Sequence, residues 1–534
     1  MRRVDFEGIA ERVFFNKKHL FLAAGLLLWL AAAPARAEVR LPAIFGDNMV
    51  LQCEEKGGIP VWGWADPGEP VTVSFGAESR QTTAGADGRW RLKLPPLKKS
   101  GQAAEMVVAG KNRIVFKNVL VGEVWLCSGQ SNMAHNLSGM PGRDTEIAES
   151  GYPSLRIFVA LAGPSREKPL EDLERRDAAY GCWRECSPRL GGNFSAVAYY
   201  FGRALHRELQ VPVGLIVCAR GATAVEAWTP QETLEATPAA KPYLDWYREQ
   251  LARYPELIVK YQAARKEWQA ACDQARQAGQ PLPRYAGPGD PVGPGYRHAP
   301  GGYFNSLIAP VLPYAIRGAI WYQGESNAGF FGAGYEEKFR AMIRSWRRLW
   351  AQGDFPFLYV QLARIKKDEG VSRDFREDAS WALLREEQRK SLAEPKTGMA
   401  VIFDVTDGDL HPVPKQPIGE RLALAALGGV YGRKAVYSGP RVDSVRFKDG
   451  QAVISFGETG GGLATLDGKP PRGFVLKAAD GKFQAASARI EGKTVVVWSE
   501  GVAEPAAVYY GWENMADGNL CNRELLPASP FRAP

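Results

Sequence analysis

Five short and mostly apolar runs constrain this chain more than any other feature: 121–126, 213–217, 315–322, 357–362 and 399–403. Each is far shorter than the roughly 20 apolar residues a membrane-crossing helix requires. Each is also too continuously apolar for a strand with one wet face. Such runs read as strands buried on both faces of a parallel sheet. Segments of helical period lie between them; Phe194, Val197, Phe201 and Leu205, for example, fall on one helical face. Strands alternating with helices specify a doubly wound α/β domain, assigned to residues 121–433.

The flanks read differently. Over 38–120 the pattern alternates, as in Val71-Thr-Val-Ser-Phe75 and in Trp90-Arg-Leu-Lys-Leu94 after the turn Asp87-Gly88; this predicts a small β-sandwich. Strands return at 451–456, 473–476, 494–498 and 506–511, a second β-domain over 434–534. A chain of 534 residues exceeds what one core can hold. An insertion occupies about 231–300. Its residues Tyr247, Leu251, Tyr254, Ile258, Tyr261 and Trp268 keep three-four spacing across two helices parted at Pro255, and a Pro/Gly-rich loop follows at 279–302. The aromatic stripe reads as packing.

At the N-terminus, Lys17 and Lys18 precede an apolar stretch from Leu20 to Ala33, then Pro34 and Ala35-Arg36-Ala37. A basic n-region, a short h-region and a small-residue site predict a signal peptide, residues 1–37, removed after Ala37. A periplasmic or secreted protein with no stable membrane insertion is expected. The formal net charge of +8 is carried by scattered basic residues, which argues against nucleic acid as a partner. Seven cysteines leave at least one unpaired. Cys182 and Cys186 are close enough in sequence for a local disulfide, whereas Cys127 and Cys218 sit in apolar runs and read as buried thiols. No C-x-x-C or H-E-x-x-H spacing occurs, so neither a metal nor another cofactor is expected.

Open parallel sheets place ligands at the carboxyl ends of their strands, and four such ends carry polar residues. The run from Gly122 enters Ser128-Gly129-Gln130-Ser131-Asn132, presenting Ser131 at a strand-to-helix turn; the same placement suits an N-cap serine. The second run ends in Arg220-Gly221-Ala222-Thr223, where Gly221 allows close backbone approach or simply makes a turn. The third ends in Tyr322-Gln323-Gly324-Glu325-Ser326-Asn327, with Gln323 able to donate to an oxyanion and Glu325 to orient a neighbour. The fourth contains Asp404, Asp407, Asp409 and His411. A serine nucleophile needs an imidazole base held by a carboxylate. His206 lies on the polar side of an amphipathic helix and reads as solvated. His298 lies in a loop without a nearby acid, and His135 lacks an adjacent carboxylate. His411 is the base by elimination.

In this order the motifs resemble the sialate O-acetylesterase family of SGNH hydrolases, which is related to esterases acting on acetylated xylan. The resemblance is carried by Leu41-Pro-Ala-Ile-Phe-Gly-Asp-Asn-Met-Val-Leu51, Ser-Gly-Gln-Ser-Asn-Met133, Trp-Tyr-Gln-Gly-Glu-Ser-Asn-Ala328, Leu-His-Pro412, Lys-Gln-Pro-Ile-Gly-Glu-Arg421 and Ala-Ser-Pro-Phe-Arg532. It spans nearly all of the mature chain. It implies a flavodoxin-like three-layer α/β/α domain between two β-domains, in an exported serine esterase that removes O-acetyl groups from a sugar or glycan, foremost a sialate. Acetylated xylan or another hemicellulose is the alternative substrate. A non-catalytic carbohydrate-binding protein is the alternative of another class, opposed by the intact Ser131 and His411.

By resemblance, Ser131 is the nucleophile, and its N–H, the Gly221 N–H and the Gln323 side chain are the oxyanion donors. Asn132, Trp228, Tyr322, Glu325 and Asn327 are the expected substrate contacts. Two positions depart from the family pattern. The usual glycine pair before Thr223 is Gly221-Ala222, which leaves open which amide points inward. The usual acid three residues before the histidine is Gly408, so Asp409 is the first choice and Asp407 the second.

Overall fold

In the computed structural model, which describes residues 38–174, 180–366, 375, 377–405, 408–515 and 517–534, one strand of 17 residues, Arg113–Gly129, organises the fold. Its first half pairs antiparallel with Ser100–Ala109, and around Leu120 it takes on Val50–Gln52 in parallel. Its second half, the apolar run expected from the sequence, has parallel neighbours on both sides. The expected signal peptide and Asp407 lie outside the described residues.

This strand is β1 of the central sheet. The others are β2 (Tyr152–Val159), β3 (Trp183–Cys186), β4 (Val213–Ala219), β5 (Gly318–Tyr322), β6 (Phe357–Val360) and β7 (Thr397–Ala400). Their spatial order is β7-β6-β5-β1-β4-β2-β3, with only β3 antiparallel to its neighbour. The chain builds one side of β1 first and the other side later. That reversal leaves a crevice at the carboxyl end of β1, between β4 and β5.

Alternate residues of the strands feed two cores. Trp125, Cys127, Leu215, Val217 and Ile320 pack against residues of the helices Ala196–Leu209 and Gln416–Gly429. Val124, Leu126, Ile216, Cys218 and Trp321 face the opposite core, which includes Phe339, Met342 and Trp346 of the helix Tyr335–Trp350. Three layers result, and Cys127 and Cys218 are buried thiols as expected. Ser195 caps the first of these helices by accepting the Ala198 N–H, and Phe194, Val197, Phe201 and Leu205 are all buried.

Before β1, Ile59–Trp64 pairs with Arg89–Leu94, and Pro70–Phe75 pairs with Glu78–Thr83 and Ser100–Ala109. After the last helix, seven antiparallel strands between Arg441 and Ala533 form a separate sheet. Gln361 Nε2, just past β6, donates to Ser529 Oγ at 2.9 Å and ties the two regions together.

Two expectations fail. The insertion is one helix, Lys241–Gln277, with Pro255 inside it, rather than two helices. Proline removes one helical hydrogen bond and costs about 3 kcal/mol in a helix interior. Pro255 itself is exposed, so water can satisfy the carbonyl it frees, and the half-buried stripe from Tyr247 to Trp268 continues unbroken. The Cys182–Cys186 disulfide is also absent, because Cys186 is a buried thiol. The intervening residues are the extended strand β3, and four residues of strand span roughly 13 Å, well beyond disulfide reach.

Candidate active site

The crevice collects the four polar strand ends. β1 stops at Gly129, whose φ of 134° suits glycine and where a Cβ would fall 2.2 Å from the Tyr322 carbonyl oxygen. Only glycine lets β1 and β5 end this close together. The short helix Ser131–Ala134 starts at once, which puts Ser131 on its first turn. Ser131 Oγ lies 2.9 Å from His411 Nε2 although 280 residues separate them.

The surroundings of this pair are polarised. A Cβ on Gly221 would lie 3.4 Å from Ser131 Cβ, so the end of β4 stands directly beside the serine. The main-chain N–H groups of Ser131 and Gly221 have no hydrogen-bond partner among the described residues. Ala222 takes the left-handed φ of 54° that a second glycine would adopt more easily. Asp409 Oδ1 accepts the His411 main-chain N–H at 2.9 Å. Asp404 is committed elsewhere, bound at both oxygens by Arg421 at 2.5 and 2.6 Å.

His411 is held below the ordinary imidazole range, first by burial and then by the Lys415 charge, with Asp409 opposing both. The ring of His135 stands 4.5 Å from that of His411. Burial pushes His135 down to about 4, so it stands against His411 as a neutral ring. Of the remaining described histidines, His206 is half-buried with Nδ1 bonded to the Val211 carbonyl, and His298 Nδ1 accepts the Ala224 N–H.

Beneath the serine lies a buried polar chain. Lys415 Nζ donates to Asn132 Oδ1, and Asn132 Nδ2 donates to Glu325 Oε1 and, at 3.1 Å, to the carbonyl of Leu410. Asn132 therefore ties the Ser131 turn to the residue preceding His411. Burial raises the Glu325 carboxyl and lowers the Lys415 ammonium to about 8, each partly offset by the other's charge.

A second chain lies under β5. Asn327 Oδ1 accepts from the Val225 N–H and from Gln323 Nε2, while Asn327 Nδ2 donates to Glu226. Glu226 pairs with Lys338 at 2.7 Å, both fully buried.

These contacts revise several expected roles. Both N–H groups of the Gln323 amide are engaged, by the Thr223 carbonyl at 3.1 Å and by Asn327 Oδ1 at 2.7 Å, so Gln323 braces the Gly221 loop and has no donor left for an oxyanion. Trp228 is wholly buried, with Nε1 on Thr223 Oγ1 and its face stacked on Tyr303. Tyr322 is 1% exposed. Neither ring can meet a sugar. Asn132, Glu325 and Asn327 are buried as well and act as struts instead of substrate contacts. Glu226, Lys338 and Lys415 escaped the sequence reading; a lysine within an apolar helical pattern, as at Lys338, was the available signal.

A family model described as carbohydrate esterase, sialic acid-specific acetylesterase, matches residues 121–272 and 304–414. The mouse sialate O-acetylesterase is 30% identical over 78% of this chain and 79% of its own length; the human enzyme is 29% identical over 80% and 77%. The crystal structure of a carbohydrate acetylesterase from Xanthomonas citri superposes with a TM-score of 0.76 at 34% identity, covering 93% of this chain and 99% of that one. The chain belongs to the sialate O-acetylesterase family of carbohydrate esterases and is a carboxylic ester hydrolase.

Proposed function

We propose that the protein is an exported serine esterase that removes O-acetyl groups from carbohydrates, with O-acetylated sialic acids as its substrates, through an acyl-enzyme on Ser131. The observation that carries this reading is the 2.9 Å contact between Ser131 Oγ and His411 Nε2 at a strand-to-helix turn. Neutral His411 takes the Ser131 proton as Oγ attacks the acetyl carbonyl carbon. The carbonyl oxygen becomes an oxyanion and accepts from the N–H groups of Ser131 and Gly221, which have no partner among the described residues and are fixed before reaction. His411 then returns the proton to the departing sugar oxygen. Water, activated by the same imidazole, frees acetate from the acetyl-serine.

Asp409 supports the base in two ways. Its carboxylate anchors the His411 main chain, and its negative charge favours the imidazolium that forms during the reaction. Export rests on the leader, with Lys17, Lys18, the apolar stretch and Ala35-Arg36-Ala37 in the order a signal peptidase requires.

The test is acetate release by the purified mature protein from O-acetylated sialic acid and from acetylated xylo-oligosaccharides in parallel. Ser131→Ala is expected to lower the rate by about 10³-fold or more with the thermal midpoint unchanged. Activity within a few-fold of the parent would remove Ser131 from the mechanism. Release from xylo-oligosaccharides alone would transfer the substrate assignment to hemicellulose.

A further inference from the structure

A cavity of about 400 Å³ opens beside Gly221, and much of its wall comes from the inserted segment. We infer that this cavity is the subsite for the sugar half of the ester, and that Tyr296 and Arg297 of the insertion are specificity-determining residues. The inference rests on the reading of Ser131 as nucleophile, since Gly221 is what links the cavity to the serine.

The core supplies Arg220 and Tyr303 to the lining; the insertion supplies Tyr254, Asp290, Tyr296 and Arg297. The volume lies within the range of small-ligand pockets. The half-buried Tyr296 ring suits the C–H face of a pyranose, while two guanidinium groups and one carboxylate offer both donors and acceptors to its oxygens.

The loop carrying these residues is fastened to the oxyanion segment. His298 Nδ1 accepts the Ala224 N–H at 3.0 Å, the Gly301 N–H donates to the Glu226 carbonyl at 2.9 Å, and Tyr243 OH donates to the His298 carbonyl. Tyr296 ends a ring stack that begins on the long helix, with Tyr243 on Tyr247 at 6.3 Å and Tyr247 on Tyr296 at 6.4 Å. The loop crosses the ring of Tyr254 at Gly293, where a Cβ would come within 2.0 Å of the ring. The wall is thus ordered before substrate arrives, which reduces the entropy lost on binding. The aromatic stripe of the long helix serves this purpose by carrying the loop back to the serine.

The experiment compares sugar esters with p-nitrophenyl acetate, whose alcohol half is not a sugar, using the full-length mature chain. Arg297→Ala and Tyr296→Ala are each expected to raise KM for the O-acetylated sialic acid or xylo-oligosaccharide by about 10-fold, the order expected for losing a charged hydrogen bond or a stacked ring. kcat/KM for p-nitrophenyl acetate should stay within about twofold, and Arg297→Lys should recover part of the lost sugar affinity. Equal losses on both kinds of ester, no change on either, or hydrolysis of p-nitrophenyl acetate alone by the parent enzyme overturns the subsite. Ser131→Ala run alongside separates the two failures. An active Ser131→Ala sinks the catalytic reading, whereas an inactive one beside an unaffected Arg297→Ala sinks only the subsite.

Discussion

Strands β1 and β5 end side by side, with Gly129 paired to Tyr322, and both run into the same turn. One reads Gly129-Gln-Ser-Asn132 and the other Gly324-Glu-Ser-Asn327. Both glycines take a positive φ, 134° and 148°, and both turns open a four-residue helix. Both asparagines are buried and bonded at each end of the amide. What separates the turns is what stands across from them. Ser131 starts its helix and meets His411. Ser326 is the second residue of its helix, its N–H bound by Gln130 Oε1, and the hydrogen-bonded rings of His206 and His298 are directed to Val211 and Ala224. A strand-end Gly-x-Ser-Asn motif is therefore a scaffold, and on the proposed mechanism it presents a nucleophile only where the fold delivers a base.

The two asparagines give the largest contrast. Asn132→Ala frees the Leu410 carbonyl and leaves Lys415 and Glu325 without their shared partner, loosening the segment that carries His411. We expect kcat to fall by about 10- to 100-fold, the range associated with misplacement of a catalytic group, while KM changes little. Asn327→Ala instead strands Glu226, the Val225 N–H and the Gln323 amide in the core. Unsatisfied buried groups cost about 1–3 kcal/mol each, so a loss of roughly 3 kcal/mol is expected, with a lower thermal midpoint and a smaller effect on kcat. Steady-state kinetics and thermal melts of the two variants decide the matter. The same pattern from both would erase the distinction between the turns.

This contrast also shows what sequence patterns expose and what they hide. The doubly wound sheet was legible because burial on both faces demands continuous apolar runs, and the five runs overlap β1, β4, β5, β6 and β7, the last only at Met399 and Ala400. The Ser131–His411 contact was legible because the proposed nucleophile and base must be particular residue types, and only one histidine follows a cluster of acids. The roles of Trp228, Tyr322, Asn327 and Gln323 were not legible. A polar or aromatic residue just past a strand reads alike whether it faces solvent or core, and here helices distant in the chain cover it. Lys338 lies 112 residues from Glu226 and Lys415 lies 283 from Asn132; no local period records such pairings. The single long helix broke the rule for Pro255 because an exposed face tolerates the missing hydrogen bond. The insertion's aromatic stripe, read as packing, packs, and its Tyr254 also lines the cavity beside Gly221.

The acid limb of the pH–rate profile sharpens the comparison from the side of the base. On the proposed mechanism the active form of His411 is neutral, and burial together with Lys415 disfavours its protonation. A lowered imidazole pKa keeps the neutral form populated to lower pH, so the limb should lie below the ordinary histidine value of about 6.5. Lys415→Met removes the cation and leaves the Asp409 charge less opposed, so the limb should move to higher pH. A limb that stays in place would assign the shift to burial alone.

The smallest expected effect belongs to Ser326→Ala. Ser326 shares its motif, its position after a parallel strand and its short helix with Ser131, and a mechanism reading motifs alone would treat the two as equals. Its contact with the neighbouring turn runs through the main-chain N–H to Gln130 at 3.3 Å, which alanine keeps. Loss of a half-buried hydroxyl outside such a network usually changes stability by less than about 1 kcal/mol. Acetate release by Ser326→Ala should therefore stay within about twofold of the parent, against the loss of about 10³-fold expected for Ser131→Ala. Comparable losses in the two variants would mean that β5 contributes a reacting group, and that the base placed across β1 is not what selects the nucleophile.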